Sequence, residues 1–184
     1  MESKDKRFAF IRALRVDCAK RQKKGLHFII SSVVIWGIIM MVHISPLPIE
    51  QKNLYTFCAS APLFPLSILM SKLLRIDFQS KDNPLTQLGI FFTINQMIYL
   101  LIAMWVYTSM PDKMLMVYAM IFGAHLMPYS WLYLSRGYLI FSIVIPITAL
   151  LIGCIAEPFV LTIVMLCYEI LFSIVLFIEC RKLQ

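Results

Sequence analysis

The chain has 184 residues, 60% of them hydrophobic and 15% charged, with a mean hydropathy of +0.80. A soluble domain carries about 45–50% apolar and about 25% charged residues, so water is the wrong solvent for most of this surface and lipid is the expected one. The formal net charge of +7 raises nucleic acid as a partner, but nine of the Lys and Arg residues fall within residues 1–24, directly before an apolar run. That placement reads as a flank touching anionic lipid, and the absence of any recognition motif excludes nucleic acid.

Residues 1–24 form the first segment, basic and cytoplasmic by this reading. Within residues 8–19, Phe10, Ile11, Leu14 and Cys18 recur at helical spacing beside Arg12 and Arg15. The pattern predicts a short amphipathic helix on the inner membrane surface; a partly disordered basic tail is the alternative. The apolar run that follows is a full span, and His43-Ile44-Ser45-Pro46 lacks a small-x-small cleavage site, which predicts an uncleaved first span.

A spanning helix needs about 20 apolar residues. Six such stretches follow one another at about 26–45, 54–74, 84–108, 113–134, 137–155 and 158–179. Pro62 and Pro65 in the second and Pro146 in the fifth read as kinks, because neighbouring helices can satisfy the freed carbonyls, while Pro128 lies nearer the inner end of the fourth. Fifteen Lys or Arg lie on one side of this arrangement and two, Lys52 and Lys113, on the other. The asymmetry predicts both termini in the cytoplasm of a cell membrane. The expected fold is all-α: a polytopic bundle of six transmembrane helices over 25–180, preceded by the amphipathic segment and followed by a cytoplasmic tail, 181–184.

Polar groups inside the membrane are costly and point to function. Glu169 lies near the middle of span 6, on one face with Thr162 and Ser173. It reads as a proton or cation site, or as a neutral group bonded to a neighbouring helix. In span 4, Tyr118, His125, Tyr129 and Tyr133 share a face. They line a cavity in which His125 partners Glu169, or they form a packing seam. Asn95 and Gln96 are adjacent at the centre of span 3 and so point apart, one towards a ligand and the other towards a packing contact. The candidate ligand or proton site is therefore Glu169, His125, Gln96, Asn95 and Tyr129. Thr56, Ser60, Ser67 and Ser71 on span 2, and Ser31, Ser32 and Gly37 on span 1, read as surfaces for close helix packing. Trp105 and Trp131 read as interfacial anchors.

The five cysteines, at 18, 58, 154, 167 and 180, form no CxxC pair and no metal-ligand spacing. Cys58 and Cys154 fall in the same half, as two free buried thiols or as a disulfide. No HExxH, GxSxG or glycine-rich phosphate loop occurs, so no cofactor, metal or catalytic residue is expected.

The stretches Phe91-Phe92-Thr93-Ile94-Asn95-Gln96-Met97 and Gly123-Ala124-His125-Leu126-Met127-Pro128-Tyr129-Ser130-Trp131 resemble a family of small bacterial six-span membrane proteins with no assigned function. The resemblance covers most of the chain after residue 20 and implies no activity. Size and span count also resemble the substrate-binding subunits of energy-coupling-factor vitamin transporters, but Ile30-Ser31-Ser32-Val33 departs from the small-xxx-small docking motif of their first span. Three readings follow: a carrier or binding subunit for a small molecule or ion, proton-coupled through Glu169; an accessory protein meeting a protein partner through its basic cytoplasmic face; and an intramembrane enzyme using Glu169 and His125.

Overall fold

The computed structural model describes residues 2–77 and 82–183, and every regular element among them is helical. Helix α1 (Glu2–Arg21) leads through a short 3₁₀ turn at Lys23–Gly25 into α2 (Leu26–Ile44). There follow α3 (Ile49–Ser60), α4 (Leu63–Leu73), α5 (Pro84–Ser109), α6 (Pro111–Ala124), α7 (Met127–Leu132), α8 (Arg136–Ile155) and α9 (Pro158–Arg181). Five stretches are long and apolar enough to cross a membrane, with α6 and α7 counted together; α3 and α4 make a sixth if their 41° bend lies within one span.

Proline placement explains most boundaries. Pro84, Pro111 and Pro158 each stand in the first turn of a helix, where the missing N–H costs nothing. Asn83 caps α5 by accepting from the Leu85 N–H, and Ser135 caps α8 by accepting from the Tyr138 N–H. Two prolines interrupt spans. Pro62 stands at the bend between α3 and α4. Pro128 has no N–H to give the Ala124 carbonyl, and the fourth span, expected as one helix, tightens at His125–Leu126, where Leu126 N–H bonds back to Gly123 O. Pro146 leaves α8 unbroken.

Helix α2 packs along α9 and α4, α8 along α9 and α6, and α6 along α5. Around the bundle the order is therefore α4, α2, α9, α8, α6, α5, with α3 resting on α2 and α6. The core is built from the facing rows: Trp36 and Ile39 on α2, Leu115 on α6, Ile145 on α8, Met165 and Phe172 on α9. Large apolar side chains also cover the outer surface, above all on α5, as lipid contact requires.

The entry to α2 is strained. Lys23, Lys24 and Gly25 have φ of 43°, 51° and 70°, a left-handed run that costs non-glycine residues about 1–2 kcal/mol each. Three contacts hold it: Lys23 Nζ donates to Leu74 O (2.7 Å), Lys24 Nζ pairs with Glu179 Oε2 (2.7 Å), and Tyr138 Oη donates to Lys24 O (2.9 Å). A Cβ on Gly25 would meet Tyr138 Oη at 2.9 Å.

Helix α1 is longer than the 8–19 segment expected. Its apolar residues divide along its length: Phe8, Phe10 and Ile11 are exposed, whereas Cys18 and Ala19 are buried. The buried end is tied down by Asn83 Nδ2, which donates to Leu14 O (2.8 Å) and Asp17 Oδ2 (2.9 Å). Arg15 lies over the Trp131 ring, 4.3 Å from its centroid, and bonds Trp131 O. The Asn83 amide is the largest influence holding the Asp17 carboxyl below its usual range, while burial pushes the Cys18 thiol up to about 11.

Two packing expectations are corrected. Gly37 makes no close approach: a Cβ there meets nothing within 4 Å. Cys58 and Cys154 are free, as expected, but exposed rather than buried, because they sit on the outer faces of α3 and α8.

Two outcomes follow. Gly123 faces Ile145 Cγ2 and Pro146 Cδ, both 2.6 Å from where a Cβ would sit. Gly123→Ala should therefore part α6 from α8 and destabilise the protein by about 1–3 kcal/mol in thermal unfolding, with Gly37→Ala neutral or slightly stabilising. In a protein with Cys18 as sole cysteine, Asn83→Ala should speed maleimide labelling at pH 8 several-fold by releasing α1; unchanged labelling would mean that Asn83 does not hold it.

Candidate functional site

A partly open cavity of about 40 Å³ lies inside the bundle. Ser32 and Phe28 of α2 form one wall, Thr93 and Gln96 of α5 another. Phe122, His125 and Leu126 form a third, and Tyr129, Tyr133 and Tyr138 close it towards the end where Lys23 and Lys24 lie. Leu63, the first residue after the α3–α4 bend, also lines it. Both interrupted spans thus place their breaks on this cavity. A larger open groove, lined by Phe8, Arg12, Val16, Asp17 and Lys20, belongs to α1 alone and encloses nothing.

Glu169 is fully buried on α9 where that helix meets α2. Ser32 Oγ lies 2.5 Å from Glu169 Oε2 and 2.8 Å from Ile29 O. One hydroxyl hydrogen cannot serve two acceptors, so both contacts are satisfied together only when Glu169 carries a proton and donates to Ser32. Glu169 Oε1 and Ser173 Oγ, on the same face, have no partner among the described residues. Ser32 is thus the residue that touches both the cavity and the carboxyl.

His125 Nδ1 bonds Phe122 O. A carbonyl only accepts, so Nδ1 carries the hydrogen, and in the neutral ring Nε2 is a lone pair. The Glu169–His125 pairing raised by the sequence is not formed: each has a different partner, Ser32 and Phe122. Gln96 is 6% exposed, lines the cavity and has no side-chain hydrogen bond among the described residues. Tyr129 Oη lies 3.0 Å from Gly89 O and 2.8 Å from Thr93 Oγ1. Asn95 is exposed on the outer face of α5 and away from the cavity, since adjacent helical residues differ by about 100° in direction. Of the five candidates, Gln96, His125 and Tyr129 meet at the cavity, Glu169 joins them through Ser32, and Asn95 does not.

Polar contacts also close both ends of the bundle. Glu179 accepts from Lys24 Nζ, Ser135 Oγ (2.7 Å) and Gly137 N–H (3.0 Å). At the opposite end, His43 Nε2 meets Thr56 Oγ1 (3.1 Å) and Lys52 Nζ donates to His43 O (3.0 Å). Among the described residues no group of three or more His, Cys, Asp or Glu could hold a metal ion.

A family model matches residues 11–179, including every candidate residue. The chain belongs to DUF7010, a family of unknown function. Comparison with curated proteins and with solved structures finds no match. For this DUF7010 chain the family supports the resemblance to an uncharacterised family and leaves activity to the site itself.

Sequence reasoning missed Ser32, which reads as one of several small residues on a packing face. Only the facing carboxyl distinguishes it from Ser31, whose hydroxyl returns to His27 O. Ser32→Ala leaves both Glu169 oxygens unbonded and should destabilise by about 1–3 kcal/mol. Adding Glu169→Met should recover most of that loss in thermal unfolding; a double variant as unstable as the two single losses summed would show the residues to be uncoupled.

Proposed function

We propose that the chain is a multi-pass carrier in the cell membrane that binds a small solute in the cavity between α2, α5, α6 and α7, coupled to protons through Glu169. One observation carries the reading: the bend between α3 and α4 and the tightened turn between α6 and α7 both line the cavity. Irregular backbone at membrane depth is tolerated where it borders a cavity or water, and interrupted helices at a central site are the usual architecture of secondary transporters. At about 40 Å³ the cavity holds a few waters or a very small solute. Transport would widen it by flexing at these two breaks. Ser32 is the route by which a proton leaves Glu169 for the cavity. The charge asymmetry supports placing the end with Lys23, Lys24, Arg136 and Arg181 in the cytoplasm.

A second reading, an accessory protein, is favoured by Phe8, Phe10 and Ile11, which project from the first half of α1. Deleting residues 1–13, which spares the packed end of α1, would abolish an accessory role and leave the cavity intact.

The test is thermal unfolding of the purified protein at pH 5 and pH 8 against a library of small metabolites and ions, with Glu169→Gln alongside. The expected result is stabilisation by one solute class to a different extent at the two pH values, and loss of that difference in the variant. No stabilising solute, with the variant behaving as wild type at both pH values, would reject the carrier.

A further inference from the structure

A count of hydrogens around the cavity narrows the ligand. Six polar side chains on its wall besides Gln96 carry one donor hydrogen each, and each of these hydrogens is spent inside the protein. Tyr133 Oη donates to Gln22 Oε1 (2.6 Å) and Tyr138 Oη to Lys24 O (2.9 Å). Between them, Tyr129 and Thr93 have two hydroxyl hydrogens; one goes to Gly89 O and the other joins the two hydroxyls. His125 Nδ1 is committed to Phe122 O. Ser32 is also committed, to Ile29 O or to Glu169.

Lone pairs and aromatic faces are what remain. His125 contributes Nε2, the hydroxyl oxygens contribute acceptor capacity, and Gln96 contributes an unbonded amide whose oxygen can turn inward. Phe28, Phe122 and the three tyrosines contribute ring surface. Behind Ser32, Glu169 offers a carboxyl with one oxygen unpartnered. A wall rich in acceptors, spent in donors and faced with rings suits a ligand that brings its own hydrogens and a positive charge. Anions and carbonyl compounds, which need donors, would find them only in the Gln96 amide.

We infer that the cavity binds a small ammonium-type cation, ammonium or a short primary amine in its protonated form, with Gln96, His125 and the aromatic faces around it and Glu169, once it gives up its proton, as the counter-charge. This deepens the carrier reading and rests on it for transport, though not for binding. The volume sets the size: about 40 Å³ admits an ammonium or methylammonium ion, and a quaternary ammonium with four methyl groups is too large and has no N–H to donate.

The test titrates the full-length protein in detergent with methylammonium chloride, with thermal unfolding and radiolabelled methylammonium binding as readouts. Sodium chloride, tetramethylammonium chloride and methanol serve as ionic, oversized and neutral controls. Saturable stabilisation by methylammonium alone is expected. Gln96→Leu and Glu169→Gln should each weaken binding about tenfold or more, as loss of a partner to a charged group does. Gln96→Glu should strengthen it, which guards against variants that merely misfold. Equal responses to all the salts, no response to methylammonium, or weaker binding in Gln96→Glu would overturn the inference. If neutral or anionic solutes stabilise the wild type and lose their effect in Glu169→Gln, the cation is wrong and the carrier reading stands. If methylammonium binds in the expected pattern but does not cross proteoliposome membranes containing the protein, the site stands and the carrier reading falls.

Discussion

The contact between α2 and α9 closes the bundle, and everything else is arranged around it. In lipid, apolar surface gains little by packing on other apolar surface, so close fit and hydrogen bonds hold helices together. Two polar contacts hold this seam. Lys24 meets Glu179 at one end and Ser32 meets Glu169 further along. The ten-residue spacing of the two glutamates corresponds to about 15 Å of helix. One contact is an ion pair, which the left-handed Lys23–Gly25 turn brings into reach. The other is a hydroxyl–carboxyl contact with no exposure. Breaking the second would leave a carboxyl among apolar neighbours.

On the other side of the bundle, α6 and α8 meet through close fit. Gly123 lets Ile145 and Pro146 approach within a distance that no other side chain permits, and Gly153 receives Met116 in the same way. The tight α6–α8 and α2–α9 contacts contrast with the looser placement of α5, the least covered span. The cavity lies on that looser side, bounded by α5 and by the two places where prolines interrupt a helix. A site so placed can change shape by moving α5 or flexing a break without parting the seams that hold the fold.

The aromatic cluster at the base of the cavity has two roles. The rings of Tyr129, Tyr133 and Tyr138 cluster with centroids 5.6–5.9 Å apart, and Tyr138 packs edge-on against Phe172 of the core. Their hydroxyls anchor the α1–α2 turn and the first half of α5, through Gln22, Lys24 and Gly89. The same bonds that fix these elements spend the tyrosines' hydroxyl hydrogens, which ties the polar character of the cavity to the architecture of the turn. Arg15 on Trp131 adds α1 to this assembly, so the N-terminal helix is joined to the helix that closes the site.

Much of this was legible in the sequence, because lipid imposes long apolar runs and punishes polar residues within them. The helical class, the apolar stretches, the bend at Pro62 and the inward placement of Glu169, Gln96 and His125 follow from hydropathy, from proline's missing N–H and from the cost of burying a polar group. What a polar residue faces is another matter. Asn95 and Gln96 are chemically alike and adjacent, yet one faces outward and the other the cavity. Ser31 and Ser32 are identical, yet only one meets a carboxyl 137 positions away. His125 and Glu169 suggest a pair, yet each bonds elsewhere. Composition and periodicity determined the solvent and the elements, since those depend on local patterns of hydrophobicity. The tertiary structure alone decided the partners, since these depend on the order and rotation of helices around the bundle, which no local pattern encodes.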